Sequence, residues 1–231
     1  VLLLCAPSNA QHLCNSDMHP GSGMGQALAV SGDFALVGAP GADPQVSCSG
    51  EAWLFERVGD AWLERSRITP GDALNPVRFG TEVAMSEDWI AVLALGGTIR
   101  DAAGSPISSP GRIHVFSREH RTVVRVASVQ APAGAADFGT EMCFLGDMLC
   151  VGTRHDSSGA SHAGAVHLYK VRVDGVDDLG SVQGASVGAF DHFGTSLAGD
   201  EGWLAVGAPA DDDHGPQSGA VWETPWSNGR S

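Results

Sequence analysis

Towards its C-terminus the chain reads Phe193-Gly194-Thr195-Ser196, then Gly207-Ala208-Pro209, then Gly219-Ala220-Val221-Trp222. Its three signatures recur upstream in the same order, with substitutions. The first signature is anchored in each copy by a glycine, and these anchor glycines are spaced 55, 59 and 55 residues apart: Gly25, Gly80, Gly139 and Gly194. Self-similarity at such a period is typical of a repeat architecture.

Each copy also carries a strand pattern. Two apolar runs of four to six residues are joined by a short turn, such as Gly146-Asp147, which is typical of a β-hairpin. The third signature predicts another strand, and a fourth is predicted at residues 62–69, 122–130 and 176–183. Four strands in ~55 residues, without helical periodicity, predict an all-β chain built of the four-stranded antiparallel blades of a β-propeller.

The order Phe-Gly, Gly-Ala-Pro and Gly-Ala-Val-aromatic resembles the FG-GAP repeat of integrin α-subunit propellers and their bacterial relatives, over about residues 24–222. The second copy departs most, because Leu93-Ala94-Leu95 replaces Gly-Ala-Pro, and the third keeps only Gly152. Since integrin-type propellers have seven blades, the resemblance implies either a four-bladed ring or part of a larger propeller. The repeats are predicted at about residues 24–78, 79–137, 138–192 and 193–231 of a propeller domain covering 24–231.

Residues 1–23 precede the repeats and have three interpretations. Residues 1–10 resemble the end of a signal peptide, with small residues before a cleavage point. Residues 4–7 alternatively match the Gly-Ala-Pro edge of a preceding blade, and residues 1–6 alternatively supply the outer strand of the last blade. The leader-like start and the family resemblance together predict an extracellular or cell-surface protein.

Composition excludes several classes of function. There are 27 acidic and 13 basic residues, which gives a formal charge of −14. A protein this acidic lacks the counterion-release term that drives nucleic-acid binding, so no nucleic-acid partner is expected. No apolar run reaches the length of about 18 residues that predicts a transmembrane helix, so none is expected.

Two cysteine pairs are candidates for disulfide bonds. Cys143 and Cys150 flank the Gly146-Asp147 turn and are expected to lie directly opposite each other, at a separation that a disulfide can bridge. The alternative is that both are small buried apolar residues, because their columns hold alanine or leucine in the other copies. Cys14 and Cys48 lie in loop-like sequence and form the second candidate pair.

Carboxylates that follow the Gly-Ala-Pro position are the candidate metal ligands. The resemblance implies calcium between the first two strands of a blade, but those turns are too short here to supply six or more ligands. The carboxylates 17 to 19 residues after the anchor glycines are instead expected to share one face and to gather calcium or a basic partner. The alternative is that each caps its own turn. These residues are Asp43, Asp156, Asp211, Asp212 and Asp213.

The sequence predicts a non-enzymatic, exported binding or adhesion module that presents loops to a protein or glycan ligand. One alternative is an exported enzyme acting on polysaccharides, for which Glu82 and Glu141 on the predicted inner strands are the candidate pair of carboxylates. Another is a structural spacer within a longer surface protein. His155, His162 and His214 lie near the predicted acidic loops, but their positions do not repeat between the copies.

Overall fold

The fold was obtained as a computed structural model, which describes residues 19–42, 49–70, 78–100, 106–109, 111–133, 135, 137–200 and 202–225. For residues 97–100 and 106–109 it describes only the backbone. The described residues contain seventeen β-strands and no helix. The strands are β1 Leu28–Ser31, β2 Phe34–Ala39, β3 Glu51–Val58, β4 Ala61–Ile68, β5 Phe79–Met85, β6 Trp89–Ala94, β7 Gly97–Arg100, β8 Pro106–Ser109, β9 Arg112–Glu119, β10 Thr122–Gln130, β11 Glu141–Leu145, β12 Met148–Thr153, β13 Ala165–Arg172, β14 Gly175–Val182, β15 Ser196–Asp200, β16 Trp203–Ala208 and β17 Ala220–Pro225.

The strands form one antiparallel sheet per repeat, which confirms the predicted blades. The first, second and third blades have the orders β1-β2-β3-β4, β5-β6-β9-β10 and β11-β12-β13-β14. The fourth blade shows β15-β16-β17 within the described residues. A small separate hairpin, β7-β8, is inserted between the second and third strands of the second blade and was not predicted. No described segment is a helix that could span a membrane.

Close backbone approach between consecutive blades explains the glycine signatures. A Cβ atom on Gly38 would lie 2.1 Å from the Gly80 carbonyl oxygen, and one on Gly50 would lie 2.1 Å from the Phe79 carbonyl oxygen. Gly50 and Phe79 also form a parallel bridge. The third and fourth blades repeat this junction, with Gly164 bridged to Phe193. Only glycine, which has no Cβ atom, lets the backbones of two consecutive blades approach each other so closely.

The junction between the second and third blades is built differently. A Cβ on Gly139 would meet the side chains of Leu93 and Ile113, at 2.9 and 3.2 Å, instead of a backbone carbonyl. Gly111 also has more room, since its nearest neighbour would be the Gly96 nitrogen at 3.4 Å. Side-chain packing therefore replaces the backbone contact at the junction whose sequence departs most from the repeat.

The apolar core lies between the blades. A valine stands twelve residues after each anchor glycine and is buried in all four blades: Val37, Val92, Val151 and Val206. Successive first strands pack against the preceding blade and give separate clusters at the three junctions. On the outward face of the fourth blade Trp203 is 56 % exposed. The outward face of the first blade is exposed only at its first strand, where Val30 is 68 % exposed, because Val37 and Phe55 on the same face are buried in a cluster of their own.

Candidate functional site

Asp156 lies buried in the loop between β12 and β13 and closes its own turn. Its main-chain oxygen accepts a hydrogen bond from the Gly164 N–H at 3.0 Å, and Oδ1 accepts one from the Ser158 N–H at 2.7 Å. Oδ2 lies 3.2 Å from Nε2 of His167. Burial works to raise the pKa of Asp156, but the hydrogen bonds from Ser158 and His167 outweigh it and lower the pKa. The carboxylate therefore stays ionised within the loop.

Asp211 occupies the same place in the fourth blade. It is buried, and its main-chain oxygen accepts from the Gly219 N–H at 2.9 Å, as Asp156 does from Gly164. Its Oδ2 and the indole Nε1 of Trp222, which stands where the third blade has His167, are both buried without a hydrogen-bond partner. In the first blade the same main-chain bond links Gly50 to Ala42. Asp43 lies outside the described residues.

The remaining predicted ligands are exposed. Asp212 and Asp213 lie on the surface of the loop between β16 and β17, and Asp213 accepts a hydrogen bond from the Ser186 hydroxyl at 2.8 Å. Among the described residues, no three His, Cys, Asp or Glu side chains are arranged to hold a metal ion. The geometry favours turn closure for Asp156 and Asp211, and calcium at these carboxylates stays a prediction.

The clearest cluster of functional side chains is a histidine patch formed by His155, His162, Phe190 and His192. The His155 ring centroid lies 5.3 Å from that of His162 and 5.2 Å from that of His192, and Phe190 packs edge-on against His162 at 5.3 Å. The patch lies where the β12–β13 loop meets the connection from β14 to β15. Phe190 is 55 % exposed, so the patch presents ring surface to solvent.

Hydrogen bonds from several loops hold the histidine patch in place. His155 Nδ1 lies 2.5 Å from Oδ2 of Asp137, which comes from the connection before β11. The Phe190 N–H donates to the Ser161 carbonyl at 2.9 Å. Buried Asp191 accepts from the Gly188 N–H at 2.6 Å. The patch is therefore a positioned surface, since each loop that contributes a ring is tied to another part of the fold.

The patch is also an electrostatic cluster. Burial, followed by the neighbouring His155, Arg154 and His162, lowers the pKa of His192 below its usual value of 6.5. Arg154 in turn donates to the Asp137 carboxylate at 3.2 Å. The neutral form of His192, which this shift favours, can donate a hydrogen bond through one ring nitrogen and accept one through the other. The exposed ring of Phe190 offers an apolar surface in the same patch.

Sequence reasoning found only part of the histidine patch. It named His155 and His162 but also His214, which lies exposed in the β16–β17 loop. It missed His192 and Asp137, although both directly precede the phenylalanine of a repeat. The residue in that position has a positive φ in three blades, of 62° at Arg78, 61° at Asp137 and 59° at His192.

The two candidate carboxylates of the inner strands do interact. Burial and the charge of Glu141 raise the pKa of Glu82 to about 7. Burial also raises the pKa of Glu141, although a hydrogen bond from the Leu197 backbone works against this. Near neutral pH one of the two can hold a proton, which is the condition under which paired carboxyl groups act as acid and base.

A cleft of about 740 Å³ opens at the opposite end of the blades, between the hairpin turns of the first two. Four of its nine lining residues are acidic: Asp33, Glu87, Asp88 and Glu119. Arg118 forms the buried wall, with its guanidinium 4.3 Å from the centroid of the Phe34 ring. It donates to the Glu87 carbonyl, and the Arg118 N–H donates to the Asp88 carbonyl at 2.7 Å. This arginine therefore joins the two blades, and its guanidinium already has protein partners in Phe34 and Glu87.

The cysteine prediction is confirmed in its register. Cys143 and Cys150 are directly opposite on β11 and β12. Both are free thiols in this structure, and Cys150 is buried. The neighbouring Cys143 thiol and burial raise the pKa of Cys150, so that thiol is protonated at physiological pH. Cys14 and Cys48 lie outside the described residues.

Comparison with protein families gives a match to the FG-GAP repeat at residues 7–55, 62–116 and 185–222, which together make up more than half of the chain. The third blade, between the last two matched regions, nevertheless has the same four-stranded order. No curated protein matches the chain.

Proposed function

The chain belongs to the FG-GAP repeat family, and from this we propose that it is an exported, non-enzymatic binding module that holds a protein or glycan ligand at the histidine patch. FG-GAP repeats are typical of extracellular and cell-surface proteins, which supports the proposed export. The stacked blades provide a rigid scaffold, and ligands of such scaffolds contact the loops.

The exposed ring surface of the histidine patch carries this proposal. Phe190 and His162 are both exposed and pack edge-on against each other, while their main chains are fixed by hydrogen bonds. An aromatic surface positioned in this way loses little conformational entropy when a ligand binds. It also suits either the apolar face of a sugar ring or an apolar side chain of a protein.

The test is an array of printed glycans and immobilised extracellular proteins, probed with labelled wild-type chain. The double variant His162→Ala/Phe190→Ser removes the exposed rings without altering a core residue. We expect at least a tenfold loss of binding to the strongest ligand, because exposed aromatic contacts of this kind contribute about 1.5–3 kcal/mol. The matched control is Val173→Ser, which removes an exposed apolar residue at the opposite end of the third blade. Equal binding by all three chains would contradict the proposal.

A second candidate function is hydrolysis of a polysaccharide by Glu82 and Glu141. The observation that favours it is the raised pKa of Glu82 beside a second carboxyl group. The test is the double variant Glu82→Gln/Glu141→Gln, assayed on a panel of polysaccharides between pH 5 and 7. A hydrolytic activity that the wild type has and the variant lacks would establish this function and overturn the non-enzymatic proposal.

A further inference from the structure

The first hairpin of the third blade places two thiols side by side. Cys143 on β11 and Cys150 on β12 are directly opposite in the antiparallel register. Opposite residues of such a pair have Cα atoms about 4.5 or 5.5 Å apart, and a disulfide bond can span either separation. The two side chains also face each other, because the Cys143 thiol is a hydrogen-bond partner of the Cys150 thiol. The backbone therefore already holds the two sulfur atoms close to each other.

The same cross-strand pair contains no sulfur in the other three blades. The equivalent residues, four and eleven positions after each anchor glycine, pair as Ala29–Leu36, Ala84–Ala91 and Ala198–Ala205. Alanine and leucine are thus sufficient for packing at this place in a blade. In the third blade cysteine replaces both partners of one pair, instead of single members of different pairs. This pattern favours a joint role for the two thiols over two separate apolar replacements.

The fourth blade leaves space for the sulfur of Cys143. Five positions after its anchor glycine it has Gly199, where the other blades have larger side chains: Val30, Met85 and Phe144. A Cβ on Gly199 would lie 3.3 Å from Sγ of Cys143 and 2.5 Å from Cδ2 of Leu145. The glycine therefore lets the cysteine pair pack directly against the backbone of β15.

The two thiols differ in how easily a reagent reaches them. Cys150 is 0 % exposed and belongs to the apolar cluster between the third and fourth blades. Cys143 is only partly buried and packs against that cluster. The rate of thiol–disulfide exchange depends on access to the sulfur. A small oxidant in solution therefore reaches Cys143 before it reaches Cys150.

We propose that Cys143 and Cys150 form a disulfide bond across the first hairpin of the third blade, with a low-molecular-weight disulfide such as oxidised glutathione as the oxidant. Disulfide bonds form and persist in extracellular environments, so the proposed export would bring the chain to such an oxidant. The reaction itself requires only the folded chain and the oxidant, and it can be tested independently of export and of ligand binding.

The reaction has two exchange steps. The thiolate of Cys143 attacks oxidised glutathione, whose S–S bond breaks, and this gives a mixed disulfide and one glutathione thiolate. The thiolate of Cys150 then attacks the Cys143 sulfur and releases the second glutathione. The two protons of the protein thiols pass through solvent to the two released glutathiones. Two electrons thus move from the cysteines to the oxidant.

The test is mass spectrometry of the native full chain after equilibration in glutathione buffers of increasing oxidised fraction. Remaining thiols are alkylated in denaturant before digestion. Trypsin cleaves after Arg125 and Arg154, so both cysteines lie in one peptide, 126–154, which contains no other cysteine. We expect this peptide to lose the mass of two hydrogen atoms and to escape alkylation. A peptide that stays alkylated in the most oxidising buffer, or that carries glutathione instead, overturns the proposal.

Single variants test the order of the two steps. Cys150→Ala should retain glutathione on Cys143, because the second sulfur is missing. Cys143→Ala should leave Cys150 unmodified while the chain is folded, because that thiol is buried. Glutathione on Cys150 in the native Cys143→Ala chain would contradict the proposed order of attack.

Thermal denaturation measures the effect of the bond on the fold. Oxidation should raise the Tm of the wild type by about 5 °C, because the bond closes a short loop and restricts the unfolded chain. The matched control is Cys143→Ala/Cys150→Ala, which reproduces the Ala84–Ala91 pair of the second blade and should have the same Tm in reducing and oxidising buffers. An equal rise in both chains, or no rise in a wild type that has formed the bond, would contradict a stabilising disulfide at this pair.

Discussion

Threonine closes the turn that leads into each phenylalanine-glycine signature. Thr81, Thr140 and Thr195 donate through Oγ1 to the carbonyl of the residue three positions earlier, at 2.6, 3.0 and 2.6 Å. That acceptor residue is the one with a positive φ. The hydroxyl therefore stabilises a backbone conformation that is costly for a residue other than glycine.

We predict that Thr195→Val lowers the free energy of unfolding by about 1 kcal/mol, since the side chain keeps its shape and loses one hydrogen bond. For a chain of this size the corresponding fall in Tm is about 2–4 °C. Thermal denaturation followed by circular dichroism measures it. Thr224→Val, on the exposed surface of β17, is the control, and an equal fall in both variants would show that the turn is not the cause.

His192 makes the stability of the folded chain depend on pH. Its pKa is lowered in the folded chain, so between that value and 6.5 the unfolded chain binds the proton more readily. Stability is therefore expected to fall as the pH drops below about 6.5. His192→Asn should weaken this part of the pH dependence when Tm is measured from pH 5 to 7.5. The groups facing His192 are His155, His162, Arg154 and Asp191. An unchanged pH profile would show that another group controls it.

At the scale of strands and junctions, the glycines of the third signature differ in what they do. Gly164→Ala would place a Cβ 2.0 Å from the Phe193 carbonyl oxygen, at a φ of 84°. We expect a loss of about 2–4 kcal/mol, because the two blades must separate and the backbone is strained. Urea denaturation measures this loss.

Gly111→Ala is the matched control for Gly164→Ala, because it is the equivalent glycine at the side-chain-packed junction. Its nearest neighbour would be 3.4 Å away. The expected loss is below about 1 kcal/mol, the ordinary range for a substitution without a clash. Similar losses in the two variants would contradict the different construction of the two junctions.

The inner strands give a further pH dependence of opposite sign. The pKa of Glu82 rises from 4.5 to about 7 in the folded chain, so the folded chain binds this proton more tightly than the unfolded chain. The stabilisation that comes from binding this proton is complete below pH 4.5 and is lost as the pH rises through 7. Glu82→Gln should therefore raise Tm at pH 8, by about 2–4 °C if solvent screening leaves 1 kcal/mol, and change it little at pH 4. Glu64→Gln, on exposed β4, should raise it at neither pH.

The strands and their register follow from sequence because each blade is a local unit. Predicted fourth strands at 62–69, 122–130 and 176–183 correspond to β4, β10 and β14 within one residue at each end. The β7-β8 hairpin was missed because its Gly-, Ser- and Pro-containing sequence is typical of a loop. Local pattern thus predicts elements well and insertions poorly.

The histidine patch is a property of the whole molecule, and this is why sequence predicts so little of it. His155, His192 and Asp137 come from three connections, and only the stacking of the second, third and fourth blades brings them together. The exposure of Trp203 is likewise invisible in sequence, because Trp203 occupies the same column as buried Trp89 and differs from it only in its neighbours. The repeated residues thus predict the blades, whereas the histidine patch depends on residues that differ between the repeats.

Hydrogen–deuterium exchange of the full chain, with and without the strongest-binding glycan or protein from the array, shows most directly where the ligand binds. If the histidine patch is the binding surface, bound ligand should slow exchange in residues 154–163 and 188–192 and leave the hairpin turns at the opposite end unchanged. Slowed exchange confined to the acidic cleft between the first two blades, or to the inner strands around Glu82 and Glu141, would contradict it.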